Sequence, residues 1–200
     1  MRERSMTRWL LVVATVAALP ALADVERFAV DPRHTFPSYE VLHNGFSFQR
    51  GRFNKTAGKI TLDPQGKTGS ADIVIDATSV STGVERLEEV IRGEDFLKTK
   101  VNPQITFKST RFEFDADNVK RVTGELTMAG VARPVTLDVT HFHCAPDRRL
   151  KIKTCGAEMV ARVKRSEFGM TYGIPNLADD VTLRINVEAR QETPETKDSP

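Results

Sequence analysis

Four histidines, His34, His43, His141 and His143, are the side chains best able to ligate a metal or move a proton near neutral pH. His141 and His143 stand two apart, so on an extended strand both imidazoles leave one face, the spacing by which a strand offers two nitrogens to zinc or copper. A metal-assisted hydrolase or isomerase using His141 and His143 inside the fold is therefore one reading, and a polar strand end is the simpler one, since nothing marks a third ligand. A nucleophile is harder to find. No Gly-x-Ser-x-Gly elbow occurs, and Ser79, Ser81 and Ser109 lie in strand or helix-cap contexts without an adjacent base. The carboxylate pairs Glu88-Glu89 and Asp179-Asp180 are neighbours in sequence, the arrangement of solvated charge. There is no glycine-rich phosphate loop and no zinc framework, so no metal site is assigned and the chain reads as a non-enzyme.

The elements that must carry these residues begin after residue 23. Arg2, Arg4 and Arg8 precede an apolar run from Trp9 to Leu19 and then Ala21-Leu22-Ala23, the pattern of a cleavable secretory signal peptide over 1–23. The run is too short for a permanent anchor, so the mature chain is expected to start near Asp24, without a transmembrane anchor, in a bacterial periplasm. The leader holds three Arg and one Glu, so 29 basic and 27 acidic residues become 26 and 26. That balance excludes the basic field a nucleic-acid binder needs. Cys144 and Cys155 flank the polar turn Ala145-Pro146-Asp147-Arg148-Arg149. In an exported chain this predicts a structural disulfide of about 2 to 3 kcal/mol; a redox or metal-binding pair is the alternative, and the spacing fits neither C-x-x-C nor a zinc site.

Alternating, strand-like segments run over 25–30, 35–43, 51–63, 70–77, 104–115, 119–128, 134–144, 154–165 and 181–190, joined by short links rich in Pro, Gly, Asp and Asn. Val122, Leu126 and Met128 share one parity, and Val135, Leu137 and Val139 share one parity beyond the turn, which declares an antiparallel pair wet on one side. A change of parity between Gly51 and Gly58 predicts a bulge. One helix interrupts the strands near residues 84–92: Val84, Leu87, Glu88 and Ile91 have helical spacing, Thr82-Gly83-Val84-Glu85 matches a capping box, and Gly93 is placed to stop it. Consecutive strands with one-sided alternation predict an all-β, up-and-down antiparallel eight-stranded barrel over 24–191, with the helix near its mouth, and a two-sheet sandwich as the alternative. Gly58, Gly124, Ala157 and Ala161 on the inward parity leave room for a small ligand. The polar end, 192–200, is expected to be disordered.

Several segments together resemble the YceI-like family: Asp31-Pro32-Arg33-His34-Thr35, His43-Asn44-Gly45-Phe46, Gly51-Arg52-Phe53, the run 102–109 (NPQITFKS), Gly124-Glu125-Leu126-Thr127 and the run 164–170 (KRSEFGM). They span about Val25 to Glu188 in one order. The resemblance implies an extended lipocalin-like barrel in the periplasm that encloses a long apolar ligand, a polyisoprenoid or an isoprenoid quinone, and no cofactor besides that lipid. Where many members carry a helical His, this chain has Val90. Inner-face residues expected to line the ligand site are Phe36, Phe53, Phe96, Phe107, Leu126, Leu137, Val139, Met159, Phe168, Met170 and Tyr172. Head-group contacts are expected from His34, His43, Arg165 and Tyr172, which combine motif positions with hydrogen-bond donors. Storage or transport of the amphiphile is the function this reading supports, with a structural or partner-binding sandwich as a further alternative. Strand edges and barrel rims leave a homodimer open.

Overall fold

A computed structural model describes residues 25–193; the expected leader, 1–23, and residues 194–200 lie outside the described residues. Eleven strands form one sheet: β1 (Glu26–Val30), β2 (Ser38–His43), β3 (Ser47–Phe53), β4 (Thr56–Asp63), β5 (Thr68–Asp76), β6 (Val80–Ser81), β7 (Gln104–Asp115), β8 (Asn118–Met128), β9 (Val131–Pro146), β10 (Lys153–Lys164) and β11 (Leu177–Gln191). The first six are three interrupted strands. β1 and β2 pair in turn with β4 and β3, and β4 and β3 pair in turn with β5 and β6. β11 closes the ring by pairing with β10 on one side and with β1 and β2 on the other. Counting each interrupted strand once, the chain is a closed, eight-stranded, up-and-down antiparallel barrel. Closure leaves no long edge unpaired.

Two of the interruptions have a local cause in side-chain hydrogen bonds. Residues 31–37 leave the ladder where Asp31 and Pro32 turn the chain, and Thr35 Oγ1 substitutes for the missing partner, accepting from Glu188 N at 3.1 Å and donating to Glu188 O at 3.2 Å. Asn54 and Lys55 leave it where Ser79 Oγ accepts both backbone N–H groups, each at 3.1 Å. This break is where a bulge was expected between Gly51 and Gly58. The hairpin of β8 and β9 turns through Ala129 and Gly130 at φ 51° and 80°, two left-handed residues whose twist matches the flanking strands.

Helix α1 (Glu85–Arg92) follows β6 and ends as Gly93 N–H bonds to Val90 O at 3.0 Å. The expected capping box is altered: Glu88, not Glu85, reaches back, its Oε1 accepting from Thr82 N at 2.7 Å and Gly83 N at 3.2 Å. These bonds hold its carboxyl below the usual range and tie the helix to β6. Cys144 and Cys155 sit directly opposite on β9 and β10 and form a disulfide, Cα to Cα 4.1 Å. Glu192 is still tied to the barrel: its N bonds to Arg27 O at 2.8 Å and its carboxylate meets Lys59 at 3.3 Å.

Candidate functional site

The inside of the barrel holds a cavity of about 680 Å³. Its walls are made by the inward parity of every strand, but that parity is interrupted by bulges. On β7 the inward series Ile105, Phe107, Ser109 shifts at Thr110 and continues as Phe112 and Phe114. On β9 the series Val135, Leu137, Val139 shifts at Thr140 and continues as Phe142. One extra residue turns every later side chain to the other face. The shift on β9 therefore sends His141 and His143 outward, whereas uninterrupted alternation would have pointed them inward with Val139.

That geometry corrects the metal-enzyme reading inside the barrel. His141 and His143 lie in a separate, shallow outer groove together with His34, Glu158 and Glu188, on the far side of the wall from the cavity. Asp31, His34 and Glu188 bring ligand atoms within 4.8 Å of one another. The Asp31 carboxylate, however, is already filled: it accepts from His34 Nδ1 at 2.8 Å, from Arg33 N at 3.1 Å and from Arg190. Burial raises the Asp31 pKa, and these bonds from His34 and Arg33 with the charge of Arg190 outweigh it, leaving the group at about 2. Asp31 is a buried anchor for the β1–β2 break, with the side chains of His34 and Glu188 exposed around it.

Eleven of the expected site residues line the cavity: Phe53, Phe96, Phe107, Leu126, Leu137, Val139, Met159, Met170, Tyr172, His43 and Arg165. Three do not. Phe36 follows the inward-facing Thr35, so its ring turns away and lies 4.7 Å beneath the Arg52 guanidinium. Phe168 is in the 3₁₀ turn after β10 and is 1 % exposed, packed into solid core behind the wall. His34 caps the turn at Asp31 and faces the outer groove. Gly124 does face inward, but the space it leaves is filled: a methyl there would stand 2.6 Å from Phe107 Cζ. Ala157 lines the cavity, as expected of a small inward residue.

The cavity opens at the end that carries α1. Lining residues there, His43, Asn44, Gln49, Arg50, Tyr172 and Gly173, are exposed, whereas those at the other end, Phe28, Leu62, Val119 and Cys155, are buried. Leu87 and Ile91 of α1 cover part of the opening, while Val90 points away from it and is exposed. The rings of Phe96 and Tyr172 meet edge to face at 6.0 Å, clasping the loop after α1 to the loop after β10. Arg165 is buried beside them but is not free: Nε donates to Ala178 O at 2.9 Å, Nη1 to Met170 O at 2.7 Å and Nη2 to Leu177 O at 2.8 Å. Burial pulls its pKa down, with Asp179 acting in the opposite direction. Its guanidinium holds the mouth loop in shape.

Among the lining residues that escaped sequence reading, Tyr39 and Thr56 did so for different reasons. Tyr39 alternates with Val41 and His43 on β2, a signal that was available; its hydroxyl is buried without a partner. Burial, with the Glu88 charge adding to it, pushes that phenol up to about 12. Thr56 follows the break at Asn54–Lys55, which no parity count can cross, and its hydroxyl is also buried and unpartnered.

Comparison with known proteins agrees with this geometry. The family model described as the YceI-like domain matches residues 28–189. Protein YceI of Escherichia coli is 31 % identical over 161 residues, covering 80 % of this chain and 83 % of that protein. Among solved structures, BcnA of Burkholderia cenocepacia superposes with a TM-score of 0.69 at 28 % identity, covering 80 % of this chain and 98 % of that one. A polyisoprenoid binding domain from Saccharophagus degradans shares the fold, with a TM-score of 0.61 at 15 % identity over 82 % of this chain and 98 % of that one.

Proposed function

This chain belongs to the YceI-like family, and from that premise we propose that it is a non-enzymatic periplasmic protein that stores or carries one long-chain amphiphile, a polyisoprenoid or isoprenoid quinone, inside its barrel. The observation that carries the reading is the lining of the 680 Å³ cavity, to which the five long strands β7 to β11 contribute only apolar side chains and one glycine. Such a wall binds by removing hydrocarbon from water. About ten buried CH₂ groups at ~0.8 kcal/mol each supply ~8 kcal/mol before ordering costs, which corresponds to roughly micromolar binding. Affinity of that size needs no charged motif.

The fold shared with a domain described as binding polyisoprenoid supports the ligand class. The leader-like residues 1–23 support export, and among the described residues no helix is long and apolar enough to cross a membrane. The test is to express the full chain in a bacterium, purify it from the periplasmic fraction, extract it with solvent and identify the extract by mass spectrometry. One isoprenoid lipid per chain is the expected result. Recovery from the cytoplasm with no lipid, and no uptake of long-chain amphiphiles by the purified protein, overturns it.

A further inference from the structure

Within the described residues, two buried side-chain hydroxyls have no hydrogen-bond partner, those of Tyr39 and Thr56, and both residues line the cavity. They flank Phe53 on one stretch of wall. The Tyr39 ring lies across Gly51, where a methyl would overlap its hydroxyl, and 6.4 Å from the Phe53 ring, while Thr56 follows on the next strand segment. An unpaired buried hydroxyl is destabilising, and native proteins rarely keep one without a water, ion or ligand to satisfy it. A buried water needs two to four polar partners, and beside Thr56 the wall is Phe53 and, directly opposite on β5, Ile75. We propose that Tyr39 and Thr56 form an internal polar station whose two hydroxyls hydrogen-bond uncharged oxygens of the bound amphiphile, carbonyl or ether, below the mouth. The inference rests on the amphiphile-binding reading and adds to it the chemistry of the head group and where it sits.

Charge decides between an uncharged and an anionic head. The phenol stays protonated throughout the physiological range, so Tyr39 is a donor in search of an acceptor. The ionised group acting on it is the Glu88 carboxylate, which repels a second anion. Arg165, the buried cation of the lining, spends its three nitrogens on loop carbonyls. Arg50 stands exposed at the mouth, paired with Glu40 at 3.1 Å. A phosphate brought to Tyr39 would lose its water without gaining a counter-ion, and isolated buried charge is strongly unfavourable. A quinone ring carries carbonyl oxygens without charge and meets the station at no such penalty.

The test titrates delipidated full-length protein with two probes of equal tail, a decyl-substituted benzoquinone and decyl phosphate, for the wild type and for Tyr39→Phe and Thr56→Val. Each substitution is expected to weaken quinone binding about five-fold, the worth of one hydrogen bond, and to leave decyl phosphate unchanged. Neither is expected to lower the melting temperature of the unliganded protein, because each removes an unsatisfied group. A readout independent of any variant is the infrared carbonyl stretch of the quinone bound to the wild type, expected at lower frequency than in alkane. Quinone binding that is unaffected by both substitutions, an unshifted carbonyl, or tighter binding of decyl phosphate overturns the station while leaving the amphiphile carrier standing. Failure of the wild type to bind either probe overturns both.

Discussion

The two halves of the barrel wall are built on different rules. β7 to β11 are long and continuous, 11 to 16 residues each, and their contribution to the cavity is apolar throughout. The half made by β1 to β6 is broken three times, and the polar lining residues, Thr35, Ser38, Tyr39, His43, Asn44, Gln49, Arg50, Thr56 and Thr82, all come from it or its links, save for Arg165, Tyr172 and Asn176 in the loop after β10. The difference is physical. A ladder interrupted only by single-residue bulges pairs nearly all its backbone groups and leaves its inner face free to be hydrocarbon, whereas a broken one must import hydroxyls and carboxylates, as Thr35, Ser79 and Asp31 show. One half offers area to a tail; the other has the polar groups that can discriminate.

The largest effect expected from this contrast is a charge placed in the continuous half. Leu137 is 7 % exposed and faces the cavity, with no cation on any neighbouring strand's inner face. Leu137→Asp is expected to cost about 4 kcal/mol or more, read as a fall in the denaturant midpoint with little change of slope. A variant that melts with the wild type would show that the continuous wall tolerates polarity and would erase the distinction. The disulfide comes next. It ties β9 to β10 in the continuous half across a separation of 11 residues, so reduction is expected to lower stability by about 2 to 3 kcal/mol without changing amphiphile affinity at the opposite, open end. Loss of ligand binding in the reduced protein would mean that the closed end also shapes the site.

Much of this contrast was legible in the sequence and part of it was not. Alternation located all eight strand positions, and β7 fell within the expected limits because Gln104 to Asp115 is bounded by Pro103 and the turn at Ala116–Asp117. Parity also placed Phe107, Leu126 and Leu137 on the inner face. It failed wherever one residue was added. The bulges at Thr110 and Thr140 hid Phe112 and Phe142, and the second one made His141 and His143 look like inner-face ligands. Phe168 and Phe36 were misplaced because a 3₁₀ turn and an irregular break have no period to count. The polar readers of the site sit at the breaks, so the half of the wall most relevant to specificity is the half that periodicity describes least well.

A third expectation uses pH to load the break between β1 and β2. Asp31 is 5 % exposed, and its folded pKa is about 2 because bonds from His34 and Arg33 and the charge of Arg190 outweigh the opposing effect of burial. A depressed folded pKa means that the unfolded chain takes up the proton first, so the stabilisation is complete above about pH 4 and is lost as pH falls toward 2. The shift corresponds to about 2 kcal/mol. Asp31→Asn is expected to lower stability at pH 7 by that amount and to flatten the acid limb of the melting curve between about pH 4 and 2. An unchanged acid limb would remove Asp31 as the anchor of the β1–β2 break.

The smallest effect separates the two halves most cleanly, because it alters a break at a residue that does not itself line the cavity. Ser79 Oγ accepts from Asn54 N and Lys55 N and donates to Asp76 O at 2.6 Å, and Asn54 N also donates to Ser79 O at 3.2 Å, so one serine replaces the ladder bonds that β3 and β4 surrender between them. Asn54 and Lys55 are exposed, and water can take up both N–H groups when the hydroxyl is gone. Ser79→Ala is therefore expected to cost only about 1 kcal/mol globally, while amide exchange at Asn54 and Lys55 speeds up locally and exchange in β7 to β11 keeps its protection. The break lies between Phe53 and Thr56, so freeing it also loosens the wall on which Thr56 sits. Exchange that accelerates equally in both halves would show that the wall opens as one cooperative unit, and the broken half would then differ from the continuous one in chemistry alone.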